Sequence, residues 1–514
     1  MSALLDELLG AFDLAALLPL VVALPLVGAA VTLMLHRRVS AQRRVSVSAV
    51  AATALLSLLL LAGVGREGVL ATTLGGWPAP LGISLVADVF SSLILSVSMA
   101  TVLGVLLFAI AQLNAVVEAR YFHPLYQVLT AGVAMSFLTA DLFNLFVAFE
   151  VMLISSYVLL TLGAPRSAIR PAMTYVVVNL LSSTLFITAL GLVYAATGTV
   201  SMADLARRVP ELPEPLQAAL ALLFLVVFGV KAAIFPLFFW LPDSYPAAPT
   251  SITAVFAGLL TKVGVYAMIR SQTIVFGRGT DGPDALVLWI AGATMLVGVL
   301  GAIAQDDMKR ILSFHIISQI GYMVFGLGLH SVLGLAAATL YIVHHVPVKT
   351  SLFLVGGMVE DMTGTSALSR TGGLAHRAPL VAALFAIPAL SLAGLPPFSG
   401  FFGKLALVQA GVQAEQWVVV GVSLLVSSLT LFSMTKIWAG VFWGAPEEQP
   451  PKVSSRGDHR LAPPRLMSGA TAGVVAITLC VAATVGPLWN LSLQAGESLR
   501  DPSAYIDAVF EQEE

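Results

Sequence analysis

The chain has 514 residues, of which 58% are hydrophobic and 11% charged, and its net charge is −2. A soluble domain carries about a quarter of its residues as charges, so this composition excludes a soluble enzyme and places the sequence in a bilayer. Near-neutral charge without a basic, aromatic-studded surface excludes nucleic acid as a partner.

Apolar runs of about 20 residues, enough to cross a bilayer, recur along the whole length. In chain order they predict fourteen spans, at 14–36, 45–64, 84–112, 124–139, 142–163, 172–197, 217–241, 249–270, 285–304, 310–329, 332–357, 379–410, 417–443 and 467–492. The first run has no cationic segment before it and carries Asp6, Glu7 and Asp13, so it reads as a retained helix and not a cleaved signal. Fifteen Lys and Arg fall in the loops after odd-numbered spans and six (Arg66, Arg207, Arg208, Arg270, Arg278, Arg500) on the other side. Because cytoplasmic loops hold the basic excess, both termini are expected outside, with the acidic tail "EQEE". The lone Cys480, in the last span, is expected to be a core residue; one thiol neither closes an internal disulfide nor holds an iron–sulfur cluster.

The remaining five basic residues lie inside spans, and all are lysines although arginines outnumber lysines nineteen to seven. Arginine is a fixed charge, whereas a buried lysine can give up its proton. Each costs about 3 kcal/mol in a span if charged and unpaired, so pairing or function must offset the cost. In chain order, span 5 ("DLFNLFVAFEVMLISSYVLL") holds Glu150, the only carboxylate deep in a span; Asp141 lies nine residues earlier, about 14 Å along a helix. Span 7 ("GVKAAIFPLFFWLP") holds Lys231, followed by Pro236 and Pro242, which should break the helix and bare backbone groups to a cavity. Span 8 holds Lys262 and span 10 His315. Span 11 ("YIVHHVPVKTSLFLVGG") holds His344, His345 and Lys349, the last two on one helical face, with Pro347 expected to loosen the ladder between them. Span 12 ("SLAGLPPFSGFFGKLALV") is interrupted by glycines and prolines before Lys404, and span 13 holds Lys436. A lysine near a span end ordinarily snorkels to the interface. That bland alternative weighs most on Lys436, less on Lys262 and Lys349, and least on Lys231; His315 and His344 also read as satisfied packing residues.

The broken spans 7 and 12 lie five apart, as do "LLTKVGVYA" and "SMTKIWAGV". This offset predicts two inverted five-helix repeats, spans 4–8 and 9–13. The expected division is therefore 1–123 for the first three spans, 124–270 for the first repeat, 271–443 for the second, and 444–514 for a cytoplasmic loop, span 14 and a short tail. The fold expected is all-α and polytopic. There is no phosphate-binding Walker loop and no dinucleotide fingerprint, so no cofactor or metal is expected.

The Glu of "FNLFVAFEVMLISSYVLL", the Lys-then-Pro of "GVKAAIFPLFFWLPDSYPAAPTSITAVFAGLLTKVG", the His-x-x-x-Lys of "HVPVK" and the "AGLPPFSGFFGK" element together resemble the antiporter-like subunits shared by respiratory complex I, membrane-bound hydrogenases and Mrp-type Na+/H+ antiporters. The resemblance spans roughly residues 120–440 and is nearest to the D subunits of Mrp antiporters. It implies a proton relay of Glu150, Lys231, Lys262, His345, Lys349 and Lys404, with His344, His315 and Lys436 as weaker members. It also implies that Glu150 and Lys231 act as an electrostatic switch and that Lys404 leads to the exit. Gln319 stands where complex I relatives often show histidine, which removes one relay group. The implied function is a secondary-transporter subunit in the plasma membrane of a prokaryote. It would work with other Mrp subunits and exchange H+ for Na+, or K+ or Li+, with the cation site outside this chain. The runner-up is the proton-pumping subunit of an NADH:quinone oxidoreductase or hydrogenase; a scaffold with vestigial channels is a weaker third.

Overall fold

A computed structural model describes residues 13–163, 168–277, 284–444 and 462–511. Asp6, Glu7, Arg166, Arg278, Lys452, Arg456, Arg460, most of the loop before span 14 and the end of the acidic tail lie outside the described residues.

Among the described residues, twelve helices are long and apolar enough to cross a membrane. The main helices in chain order are α1 (Leu18–Met34), α2 (Val39–Glu67), α3 (Val89–Gln112), α4 (Phe122–Leu138), α5 (Leu142–Thr161), α6 (Ile169–Thr197) and α7 (Glu214–Ala232). They continue with α8 (Thr250–Val275), α9 (Ala285–Ile303), α10 (Met308–Gly328), α11 (Val332–Thr363), α12 (Pro379–Ala393), α13 (Ser399–Gln413) and α14 (Trp417–Trp443). Three more close the chain: α15 (Arg465–Ala483), α16 (Val485–Arg500) and α17 (Ser503–Phe510). Short polar residues start the helices by accepting an otherwise unmet backbone N–H three residues on. Asp88, Asp141, Asp284, Asp307 and Ser331 cap α3, α5, α9, α10 and α11 in this way.

Three features depart from the sequence expectation. The fold is not wholly helical: β1 (Leu70–Leu74) and β2 (Ile83–Ala87) pair antiparallel, Leu70 opposite Ala87 and Leu74 opposite Ile83. This hairpin takes the start of the expected third span, because the Gly- and Pro-rich turn "GGWPAPLG" folds the chain back on itself. Pro347 does not interrupt α11, which runs helical for 32 residues; a proline removes one hydrogen bond, and burial on all sides holds the rest. Cys480 is exposed on the outer face of α15 and is not a core residue.

Two loops five spans apart share one construction. "Thr-Gly-Thr" recurs at 197–199 and 363–365. Gly198 and Gly364 close α6 and α11 in the left-handed region, at φ 76° and 75°. In the first loop Thr197 Oγ1 donates to Thr199 O, and Met202 N–H meets Ala140 O at 2.8 Å. In the second, Thr363 Oγ1 donates to Thr365 O, and Leu368 N–H meets Asp306 O at 2.9 Å. Each loop thus docks on the start of the helix one before its own, α5 or α10.

Helices α8, α10 and α11 lie inside the bundle and are almost wholly buried. Apolar residues of the outer helices, among them Val177 and Leu181 on α6 and Leu424 and Leu425 on α14, face outward, as a bilayer requires. Lys262 and Arg270 on α8, His315 on α10, and His344, His345 and Lys349 on α11 are buried within these three helices.

Candidate functional site

Lys231 occupies the last turn of α7 and is 4% exposed. The helix stops one residue later because Ala233 turns left-handed (φ 60°) and Pro236 has no N–H to give. The broken end is satisfied locally: Trp240 Nε1 donates to Val230 O at 3.1 Å, and Phe235 N–H donates to Thr294 Oγ1 at 3.0 Å. Lys231 Nζ lies 4.9 Å from the centre of the Phe149 ring and donates to Ser183 Oγ at 3.2 Å. Ser183 in turn donates to Glu150 Oε1 in a short hydrogen bond. Among the described residues, the expected Glu150–Lys231 pair therefore meets through a hydroxyl and not through a direct contact within 4.0 Å. A cavity beside the pair is lined by Tyr175, Asn179, Trp240, Tyr245, Lys231 and Leu260, reaching from α7 to α8.

Lys262 is fully buried on α8, just past a turn at Phe256–Leu260 that widens to π geometry. Such turns loosen the carbonyl ladder and cluster at functional sites. Here Lys262 Nζ donates to Ala257 O at 2.5 Å and to Thr261 Oγ1 at 3.2 Å. Gly258, in the same turn, is pressed against Thr350 of α11 with no room for a Cβ. The small residue thus brings α8 against the helix carrying His345 and Lys349. Those two side chains are fully buried, and among the described residues neither His345 nitrogen nor Lys349 Nζ has a hydrogen-bond partner. Lys349 lies within electrostatic reach of Lys262, and His345 within reach of Lys262, Lys349, His344 and His315.

The other members occupy α10 to α14. His315 Nε2 meets Ser433 Oγ at 2.8 Å, and His344 Nδ1 meets Ser399 Oγ at 2.8 Å. Tyr341 OH donates to Gln319 Oε1 in a short bond. The break between α12 and α13 begins at Gly394 (φ 86°) and leaves the carbonyl of Ala393 open. Lys404 Nζ donates to that carbonyl at 3.1 Å and to Ser427 Oγ at 2.8 Å, 4.9 Å from the Tyr322 ring centre.

Along α10 and α11, His315 Nδ1, Gln319 Nε2, His344 Nε2, both nitrogens of His345 and Lys349 Nζ are buried without a hydrogen-bond partner among the described residues. Burying a polar group unpaired costs several kcal/mol, so these groups stand out from the satisfied polar side chains around them. Among the described residues no three His, Cys, Asp or Glu side chains converge as metal ligands.

Residues 139–430 match the family described as NADH:quinone oxidoreductase/Mrp antiporter, TM. The chain belongs to this family. It is 44% identical to the D subunit of the Na+/H+ antiporter of Alkalihalophilus pseudofirmus over 92% of this chain and 95% of that one. It is 36% identical to the corresponding D subunit of the Na+/H+ antiporter of Bacillus subtilis over 96% and 99%. It superposes on a chain in the Mrp complex structure from Dietzia sp. DQ12-45-1b with a TM-score of 0.90 and 34% identity, covering 97% of this chain and all of that one.

Not every ionisable residue of this antiporter-family chain joins the buried seam. Lys436 Nζ donates to Ile303 O, Gln305 O and Asp306 Oδ1 at 3.0, 2.8 and 2.8 Å, at a side-chain exposure of 28%; it closes the C-terminal end of α9. Arg270, assigned from the sequence to an outer loop, is buried in α8. It grips Asp88 through two nitrogens at 2.5 and 2.8 Å, with the Tyr266 hydroxyl accepting from it. The hydroxyls of Ser183, Ser399, Ser427 and Ser433 escaped sequence reasoning. Serine is common in membrane helices, and the cues were no more than the "SS" pairs at 182–183 within span 6 and 427–428 within span 13.

Proposed function

We propose that the chain is the proton-translocating subunit of a multisubunit monovalent cation/H+ antiporter, exchanging protons for Na+ within a hetero-oligomeric membrane complex of Mrp subunits. It is a secondary transporter, and no bond in a substrate is made or broken. The observation that carries this reading is the seam of buried, protein-unpartnered titratable groups on α10 and α11, flanked by a buried lysine at each helix break. Glu150, Lys231, Lys262, His345, Lys349 and Lys404 form the relay, with His344 and His315 alongside. A proton passes between neighbours as one lysine or histidine releases it through water and the next takes it up. Helix breaks supply acceptors, such as Ala393 O, that hold a protonated lysine in place.

The bundle is read as fourteen spans: twelve long helices, α4, and the α12–α13 pair as one broken span. The matched Thr-Gly-Thr loops and the left-handed residues Ala233 and Gly394, each three residues before a proline (Pro236 and Pro397), support two inverted repeats, spans 4–8 and 9–13. The boundaries 1–123, 124–270, 271–443 and 444–514 follow from that division. Both termini are placed outside the prokaryotic plasma membrane by the loop charges.

The test is Na+-dependent collapse of a preformed pH gradient in everted vesicles carrying the complete operon, wild type beside Glu150→Ala, with assembly followed on a native gel. Collapse in the wild type alone is the expected result. Equal collapse in both refutes the relay, and a gradient that answers to NADH oxidation but not to Na+ would make the chain a redox-pump subunit.

A further inference from the structure

Ser183 stands apart from the other hydroxyls of the membrane helices. Most of those return to their own backbone: Thr184 Oγ1 donates to Leu180 O at 3.0 Å, Thr188 to Thr184 O at 2.8 Å and Ser136 to Gly132 O at 2.8 Å. The neighbour Ser182 does a structural task, donating across to Val227 O of α7 at 3.1 Å and fixing how α6 lies on α7. Ser183, buried at 7% exposure, spends nothing on the backbone. Its two hydrogen bonds go to two ionisable groups, Glu150 on α5 and Lys231 on α7.

A hydroxyl has one proton to give. Its donation to Glu150 leaves the oxygen lone pairs for Lys231, so the three groups form a single directed chain from ammonium to hydroxyl to carboxylate. We propose that Ser183 is the proton bridge of this pair, passing a proton from Lys231 to Glu150 by exchange through its own oxygen. The proposal rests on the relay reading above. In the step, an Nζ–H bond of Lys231 breaks as that proton bonds to Ser183 Oγ, while the Ser183 O–H bond breaks and its proton bonds to Glu150 Oε1. Lys231 ends as a neutral amine, Glu150 as a neutral acid and Ser183 again as a hydroxyl. Charge separation disappears without either side chain moving.

The exchange also reverses both hydrogen bonds: Glu150 now donates to Ser183, and Ser183 to the Lys231 amine. A second proton cannot follow in the same direction until the hydroxyl rotates back. The bridge therefore adds a reorientation of the hydroxyl to each cycle, a step a direct ion pair lacks. Tyr157 also lies within electrostatic reach of Glu150; among the described residues its hydroxyl makes no hydrogen bond to the chain of three.

The experiment uses the complete complex in everted vesicles and compares initial rates of Na+-dependent pH-gradient collapse per assembled complex for wild type, Ser183→Ala, Ser183→Thr, Glu150→Gln and the double variant Ser183→Ala/Glu150→Gln. Losing a positioned proton-transfer group costs about 100-fold or more, and water entering the vacated space restores part of that, so Ser183→Ala should fall at least about tenfold. Ser183→Thr, which keeps the hydroxyl, should remain within about threefold, and the double variant should be no slower than Glu150→Gln. A Ser183→Ala rate within about twofold of wild type, with Glu150→Gln inactive, overturns the bridge and leaves the antiporter reading intact. Loss in both Ser183→Ala and Ser183→Thr also overturns it, because packing and not the hydroxyl would then matter. A wild-type rate in Glu150→Gln defeats the relay reading itself.

Discussion

Replacing Gly394 with alanine should disable Lys404 without touching it. Gly394 sits at φ 86°, where an L-residue pays about 1–3 kcal/mol in strain. The new Cβ would lie 2.7 Å from Lys404 Cδ, about 1 Å inside normal carbon–carbon contact, so the lysine stem must retreat by that amount. Its Nζ is held at 3.1 Å by Ala393 O and at 2.8 Å by Ser427, and hydrogen bonds from a charged donor contribute about 1.5–3 kcal/mol each. Stretching both past 3.5 Å, together with the strain, destabilises the resting site by about 4–9 kcal/mol. The expected result is an assembled complex on a native gel whose Na+-dependent pH-gradient collapse is slower by at least about tenfold. Ala233→Gly is the control: it relieves the same left-handed strain in the other broken helix, loses one buried methyl, and should change stability by less than about 1 kcal/mol. A Gly394→Ala complex transporting at the wild-type rate would refute the claim that this glycine sets the lysine's position.

Asp88→Asn keeps Oδ1 as the cap on α3 and as an acceptor for Arg270, but it removes the carboxylate charge and turns an amide donor toward the other guanidinium nitrogen, and should cost about 3–5 kcal/mol in thermal unfolding of the purified complex; adding Arg270→Met should recover most of the loss, and additive losses would refute the pairing. Burial pushes the Glu118 carboxyl up, but hydrogen bonds from Arg43 and His123 at 2.7 and 2.9 Å outweigh it and hold the group below the ordinary range. A depressed acid contributes stability above its unfolded pKa of about 4.3 and loses it as pH falls through its folded value. Glu118→Gln should therefore unfold more easily at pH 7, by about the 1.5–3 kcal/mol that a hydrogen bond to a charged group contributes, with the gap closing below about pH 4. Lys436→Ala should change stability by about 1 kcal/mol at most, since its ion pair is solvent-exposed, and leave transport within about twofold, whereas Lys349→Ala should lower transport at least about tenfold; equal effects of the two would erase the distinction between the buried seam and the helix-end cap.

The membrane class, the helix positions and both breaks were legible because each follows from local chemistry: run length, a lysine in an apolar segment, and prolines without a donor. Lys231, Lys262, His345, Lys349 and Lys404 were legible for the same reason, since a charge in hydrocarbon is conspicuous. Ser183 was not, because its meaning depends on which helix faces it, and nothing in "NLLSSTLFI" tells that Ser183 looks at Glu150 while Ser182 looks at the α7 backbone. The π turn that brings Lys262 to Ala257 O was hidden too, since widening by one residue leaves the apolar pattern intact. Arg270 was misplaced because a cation near a span end normally seeks water, and its partner Asp88 is 182 residues away in sequence. The hairpin at 70–87 was absorbed into a span because strand β2, "ISLVA", is as apolar as the helix it precedes.

The near-complete enclosure of α8, α10 and α11 means that the outer helices act as a sheath. Lipid tails, lipophilic reagents and changes of bilayer thickness meet that sheath first and reach the inner helices only by moving a neighbour. Insulation of this kind confines a mobile charge to the axis of the bundle. It also leaves the outer faces free to change in sequence, or to adhere to other subunits, without disturbing the buried ionisable seam inside.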